Sequence, residues 1–326
     1  MFDMSQTKKS TYDMYTTMLA KTEKVIRSKM VPKVNTKHQL GHALRENPWM
    51  RQTLEFSIYL EEYLWERDGR QVIFPESAAV VDNLMRASFD LDSCDGFSLP
   101  FRSMVVAMPA GYVHNGLKIP SFLATFARNN TPDEKLHPFL DAVKESHSDY
   151  RIDGNASERV LVIQYRDNTD SWAKVSIVDT DLPRILKCKD AATFSKELGM
   201  YKGIKRGFSE YTDQDREIHF FALKLVASMG VYCLATGGKR LLDGFPGATM
   251  PKLMGHDGST GMRLSTLQSV VRTKESPEAH YRAWHFRQLR DDRFYRGEHA
   301  HAPKGSRYVF VSDAMIGQKV DPSTMV

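Results

Sequence analysis

Cysteine is scarce in this chain. Cys94, Cys188 and Cys233 are scattered, form no Cys-x-x-Cys pair and cannot build an even disulfide framework. A disulfide-stapled secreted scaffold is therefore excluded, and reduced thiols in a cytoplasmic protein are expected. Long apolar runs are also missing: none approaches the roughly 18 uncharged apolar residues that a bilayer span requires. The opening MFDMSQTKKSTYDMY lacks the apolar core of a secretory signal, so no membrane association is expected. The glycine patterns of phosphate loops and dinucleotide folds are absent, as are His-Glu-x-x-His and the nucleophile elbow. No cofactor is expected. His299-Ala-His301 has no Cys or carboxylate cluster at zinc spacing beyond Glu298, so it is read as a flexible polar loop and no metal site is assigned. Neither sign of charge dominates: 45 Lys and Arg stand against 40 Asp and Glu, a net charge of +5. That permits nucleic-acid binding without demanding it.

What is present is a globular composition, 41% hydrophobic and 26% charged, long enough for one large domain or two modest ones. The first 90 residues read as helical. Tyr12, Tyr15, Met18, Leu19, Val25 and Ile26 recur at helical spacing between Ser10 and Met30. Further helices are predicted from about Pro48 to Glu66 and from Pro75 to Ser88, the second with Pro75 in its first turn. The texture changes near residue 95. Beyond it short strands surround turns, with Asn115-Gly116 as a hairpin turn. Arg159–Arg166 and Ala173–Val178 read as partner strands. Thr212 opens the clearest helix, an almost unbroken apolar run that Gly237-Gly238 terminates. Leu241 to Gly261 reads as a long loop, and Arg307 to Val311 as a closing strand. The expected architecture is α+β: a helical region over 1–95, then over 96–326 a mixed sheet with a central buried helix and a C-terminal hairpin.

The densest chemistry lies near the C-terminus. From His280 to Arg307 the chain carries four of its eleven histidines, seven Lys or Arg residues and only three acids. As a strand, His280, Arg282, Trp284 and Phe286 share one face, and Tyr281, His285, Arg287 and Leu289 the other. As a helix, His280, Trp284 and Arg287 align instead. The aromatic content and the obvious partner at 308–311 favour the strand. Imidazoles among guanidiniums can grip a phosphate, with Trp284 stacking a base, or can act as acid and base on a phosphodiester without a metal. The nucleic-acid-binding candidates are Arg282, Trp284, His285, Arg287 and Arg290, with Lys205 and Arg206 from the basic loop Gly203–Gly207. His280 and His285 are the catalytic candidates. On a strand the two histidines point to opposite faces, which ranks binding above catalysis.

The stretch HYRAWHFRQLRDDRFY followed by GSRYVFVSDAMIG resembles the C-terminal tail of uncharacterised proteins of phages and other mobile elements. These end in His-x-Arg-x-x-His-x-Arg, a basic loop with tyrosine, and an aromatic-Val strand. Here the pattern falls on His280, Arg282, His285 and Arg287, then Tyr308 to Val311 and Gly317. Trp284 stands where the tail would have glycine. The resemblance covers about a third of the chain, from residue 215 onward, and implies a phage-type protein in the cytoplasm of an infected bacterial host. The expected partner is nucleic acid or a host or phage protein, such as a host nucleic-acid enzyme. A metal-independent ribonuclease or phosphodiesterase and a protein–protein inhibitor or structural phage component are the alternatives.

Overall fold

A computed structural model describes residues 11–17, 54–93, 96–128, 159–166, 172–198, 203–205, 212–245, 260–265, 280–312 and 314–316. Its helices are α1 (Leu54–Arg67), α2 (Ala78–Arg86), α3 (Leu182–Lys187), α4 (Ala191–Leu198) and α5 (Asp213–Ala235). The first ten strands are β1 (Gln71–Pro75), β2 (Ser88–Asp90), β3 (Ser103–Val106), β4 (Val113–His114), β5 (Leu117–Lys118), β6 (Phe122–Arg128), β7 (Arg159–Arg166), β8 (Trp172–Val178), β9 (Gly203–Lys205) and β10 (Leu241–Asp243). The rest are β11 (Thr260–Leu264), β12 (His280–Arg282), β13 (His285–Leu289), β14 (Arg307–Val311) and β15 (Ala314–Ile316). The fold is α+β, as the sequence indicates.

An eight-stranded mixed sheet in the order β10-β11-β1-β3-β6-β7-β8-β9 forms the centre. The meander β6-β7-β8 is antiparallel, with Arg159–Arg166 facing Trp172–Val178 as expected. β1 runs parallel to both β3 and β11. The segment Gln71–Pro75 is therefore a central strand and not part of a helical region. Pro75 is its last residue, and α2 begins only at Ala78. Strands from the first 95 residues pair with strands from the remainder in this sheet, and β2 does so again with β13. Residues 11–17 are also not helical. Tyr12 bridges Pro109 in an extended segment that crosses the sheet as a strap, while 18–53 lie outside the described residues.

The two faces of the sheet differ in kind. One presents Ile73, Met104, Val106, Phe122, Ala124, Leu161, Ile163, Val175 and Ile177, all buried against α5 and its neighbours. Helix α5 is the centre of this layer, and seventeen of its 23 residues are buried. Among the described residues it is the one helix long and apolar enough to cross a membrane, but here it is a core helix. Its start is fixed by a capping box: the Thr212 side chain accepts from the Asp215 amide, and the Asp215 carboxylate accepts from the Thr212 amide. Its end is a Schellman turn, with Gly237 and Gly238 at φ 58° and 72° and their amides donating to Leu234 and Cys233 carbonyls. At mid-helix, Gly230 lets the Phe97 ring and Ser98 carbonyl approach. A Cβ there would lie 2.6 Å from the ring and 3.1 Å from the oxygen. Gly230→Ala is expected to destabilise by about 1–3 kcal/mol in urea titration, despite the better helix propensity of alanine.

The Asn115-Gly116 turn joins β4 and β5 as expected. Both residues have positive φ, 49° and 79°, which is the two-residue hairpin geometry that matches strand twist. Leu241–Asp243 departs from the expected loop by pairing with β11 as an edge strand. Gly203–Lys205 likewise forms the opposite edge strand, not a loop, with Lys205 opposite Ala173.

Candidate functional site

The His280–Arg290 stretch is extended, as preferred from sequence, but it breaks in two. β12 pairs with β15, whereas β13 lies in a separate three-stranded sheet, antiparallel to β14 and parallel to β2. His280 is therefore registered opposite Ile316 in one sheet, and His285 opposite Val311 and Ser88 in another. The break sits at Ala283-Trp284. Arg282 is registered opposite Ala314 in β12, and Arg206 lies outside the described residues.

Trp284 belongs to the core. It is 2% exposed, stacks on Tyr232 of α5 at 5.2 Å and meets the Phe310 ring edge-on at 5.0 Å. Phe286 extends the cluster towards Phe89, stacked at 5.0 Å. The expectation that Trp284 stacks a base therefore fails on burial: α5 already occupies its ring face.

The opposite face of the same small sheet is exposed around Arg287, Val309 and Asp90, and buried at Leu289. Arg287 is exposed and His285 half-buried. His285 Nδ1 lies 2.8 Å from the Ser88 hydroxyl across the β2–β13 pairing. Three other cations of the tail meet acids. Arg290 contacts Asp90 at 3.3 Å and Asp92 at 2.8 Å, Arg293 lies 3.8 Å from Asp291, and Lys304 lies 2.7 Å from Asp292. The Lys304–Asp292 hydrogen bond lowers the carboxyl pKa and raises that of the amine. Among the described residues no carboxylate lies within 4 Å of Arg287, although Asp90 is its register partner on β2. The loop between β13 and β14 is not a solvated tether either. Tyr295 donates to the Leu289 carbonyl at 2.6 Å and accepts from the Gly305 amide at 2.7 Å, and Gln288 donates to the Gly305 carbonyl. His299 lies 3.3 Å from Glu298, and no cluster of three metal-ligating side chains occurs among the described residues.

A second polar region, not singled out in the sequence, lies under α1 on the other face of the central sheet. Strand alternation places Ser103, Thr125, Gln164, Arg166, Lys174 and Ser176 on that face, among Val72, Phe74, Val105 and Leu123. Among the described side chains of α1, Ile58, Glu61, Glu62 and Trp65 are buried, so its core-facing side carries two carboxylates. Lys174 donates to Glu61 at 3.1 Å. Tyr15 of the strap donates to Glu62 at 2.9 Å and accepts from Gln164 Nε2 at 2.9 Å. Burial and then the Glu62 charge hold the Tyr15 hydroxyl well above its ordinary pKa, so it stays a neutral donor. Gln164 also donates to the Ile58 carbonyl, while its buried Oε1 accepts no hydrogen bond among the described residues. The only sequence signal for this layer is a lone Gln or Lys inside an apolar strand and a Glu pair inside a helix.

No family model, curated protein or solved structure matches the chain.

Proposed function

We propose that the protein binds nucleic acid through the solvent-facing side of the β14-β13-β2 sheet, with Arg287 and His285 on phosphates. The observation that carries this is Arg287: an exposed guanidinium two residues from His285 on the same strand face, with no carboxylate within 4 Å among the described residues, its register partner Asp90 contacting Arg290 instead. A hydrogen-bonded imidazole and a guanidinium on a rigid strand suit phosphate oxygens, which accept from both. Arg290, by contrast, is held by Asp90 and Asp92 and contributes little. A phage-type origin in an infected bacterial cell is the setting that the tail resemblance suggests. Trp284 has no part in this contact, and His280 and His285, registered in separate sheets, supply no support for acid–base cleavage.

Binding of labelled single-stranded and duplex DNA and RNA, followed by fluorescence anisotropy across a salt series, tests the reading. Affinity should fall steeply with salt. Arg287→Ala should weaken binding several-fold at low salt and reduce the log–log salt slope by about 1, whereas Arg290→Ala should leave both nearly unchanged. No detectable binding at low salt, or equal effects of the two variants, would sink the proposal.

A further inference from the structure

The β4–β5 hairpin rests on α5 through aromatic rings. His114 lies 4.9 Å from Phe221, centroid to centroid, and Tyr112 lies 5.8 Å from the same ring. Glu217, Phe221 and Lys224 stand at helix positions i, i+4 and i+7, so they form one stripe. The half-buried imidazole therefore sits over Phe221, with a carboxylate one turn before it and an ammonium one turn after. Asp82 of α2 completes the surroundings and accepts from the Tyr112 hydroxyl at 2.7 Å. Lys224 is 5% exposed, and its Nζ donates to the Cys188 carbonyl at 2.6 Å. On the hairpin itself, Lys118 pairs with Asp13 of the strap at 3.1 Å. The strands have two residues each, and Val113 is 55% exposed, so few contacts hold the tip.

We propose that His114 is a pH-sensitive latch: the neutral imidazole docks the β4–β5 hairpin on Phe221, and protonation releases it. A neutral ring can lie on an apolar seat, but an imidazolium there must give up hydration, and Lys224 repels it. Glu217 and Asp82 act in the opposite sense and limit the effect. Burial is the largest influence, and the docked imidazole has a pKa below the ordinary 6.5. The sign follows. Released His114 binds a proton more readily than docked His114, so the docked state is at full strength above about pH 6.5 and weakens as pH falls through that value towards the lowered one.

Amide hydrogen exchange of the intact protein between pH 8 and pH 5, corrected for intrinsic rates, reads the latch. Opening of the hairpin amides and Ile119 should rise several-fold towards low pH, while core amides of α5 stay protected. His114→Phe keeps an aromatic ring on Phe221 and should abolish the pH dependence, and Glu217→Gln should increase opening at low pH. An unchanged hairpin, or the same rise in His114→Phe, overturns the proposal. Should that variant fail to fold, an NMR titration of His114 in the native protein decides: a midpoint below 6.5 accompanied by hairpin shifts supports the latch, and a midpoint at or above 6.5 overturns it.

Discussion

Trp284→Ala is expected to lower the free energy of unfolding by about 3–5 kcal/mol, the range for removing a large aromatic from a packed core. The ring is one of three aromatic contacts of the terminal sheet region with Tyr232 of the central helix, beside Phe286 and Phe310. Tyr232 stacks on one of its faces, Phe310 meets it edge-on, and the Trp284 carbonyl accepts from the Ser88 amide at 2.9 Å. Truncation leaves a cavity bounded by rings from α5 and β14, neither of which can collapse without unstacking others. Against a typical total of about 5–15 kcal/mol, this is a large fraction. Urea unfolding followed by far-UV circular dichroism measures it without depending on tryptophan emission. Trp284→Phe should recover part of the loss. If Trp284→Phe folds normally yet loses nucleic-acid affinity, the ring contacts ligand and its core assignment is wrong.

The same residue shows what was legible in the chain. Aromatic density, a basic loop and a closing Tyr-Val-Phe-Val suffice to predict the β13–β14 hairpin, because antiparallel neighbours are close in sequence and their pairing is local. The β7–β8 pair, the Asn115-Gly116 turn and both ends of α5 were readable for the same reason: each is fixed by a few adjacent residues. Gln71–Pro75 was not. Its partners begin at Ser103 and Thr260, so nothing nearby marks five residues between two helices as a central parallel strand. Tyr12 and Tyr15 at spacing three suggest a helix, yet they are anchors of an extended strap. Their hydroxyls reach the Pro75 carbonyl and the Glu62 carboxylate, contacts that only the tertiary fold creates. For the site, composition pointed to a basic surface. Which cations face solvent depends on Asp90 and Asp92, some 200 residues upstream of Arg290.

The layer under α1 yields the second large expectation. Lys174→Met is predicted to destabilise by about 3–5 kcal/mol, since removing one partner leaves a carboxylate buried beside an apolar side chain. Glu61 is 1% exposed, and the Lys174 side chain is 11% exposed, so water cannot replace the lost ammonium. The pair differs in this from the tail's exposed ion pairs, whose removal typically costs about 0–1 kcal/mol. A double-mutant cycle with Glu61→Leu separates the contribution. Glu61→Leu alone should also be costly, because it removes a buried carboxylate that the Lys174 ammonium contacts at 3.1 Å. The double variant should be less destabilised than the sum of the two, with a coupling of about 1–3 kcal/mol. Burial makes the coupling insensitive to salt, whereas a surface pair would weaken as ions screen it. Additive losses would mean that Lys174 and Glu61 act independently, and the polar layer would then be a set of separate hydrogen bonds. A coupling that survives high salt would establish the pair as the link between β8 and α1, with Tyr15, Glu62 and Gln164 fastening the strap beside it.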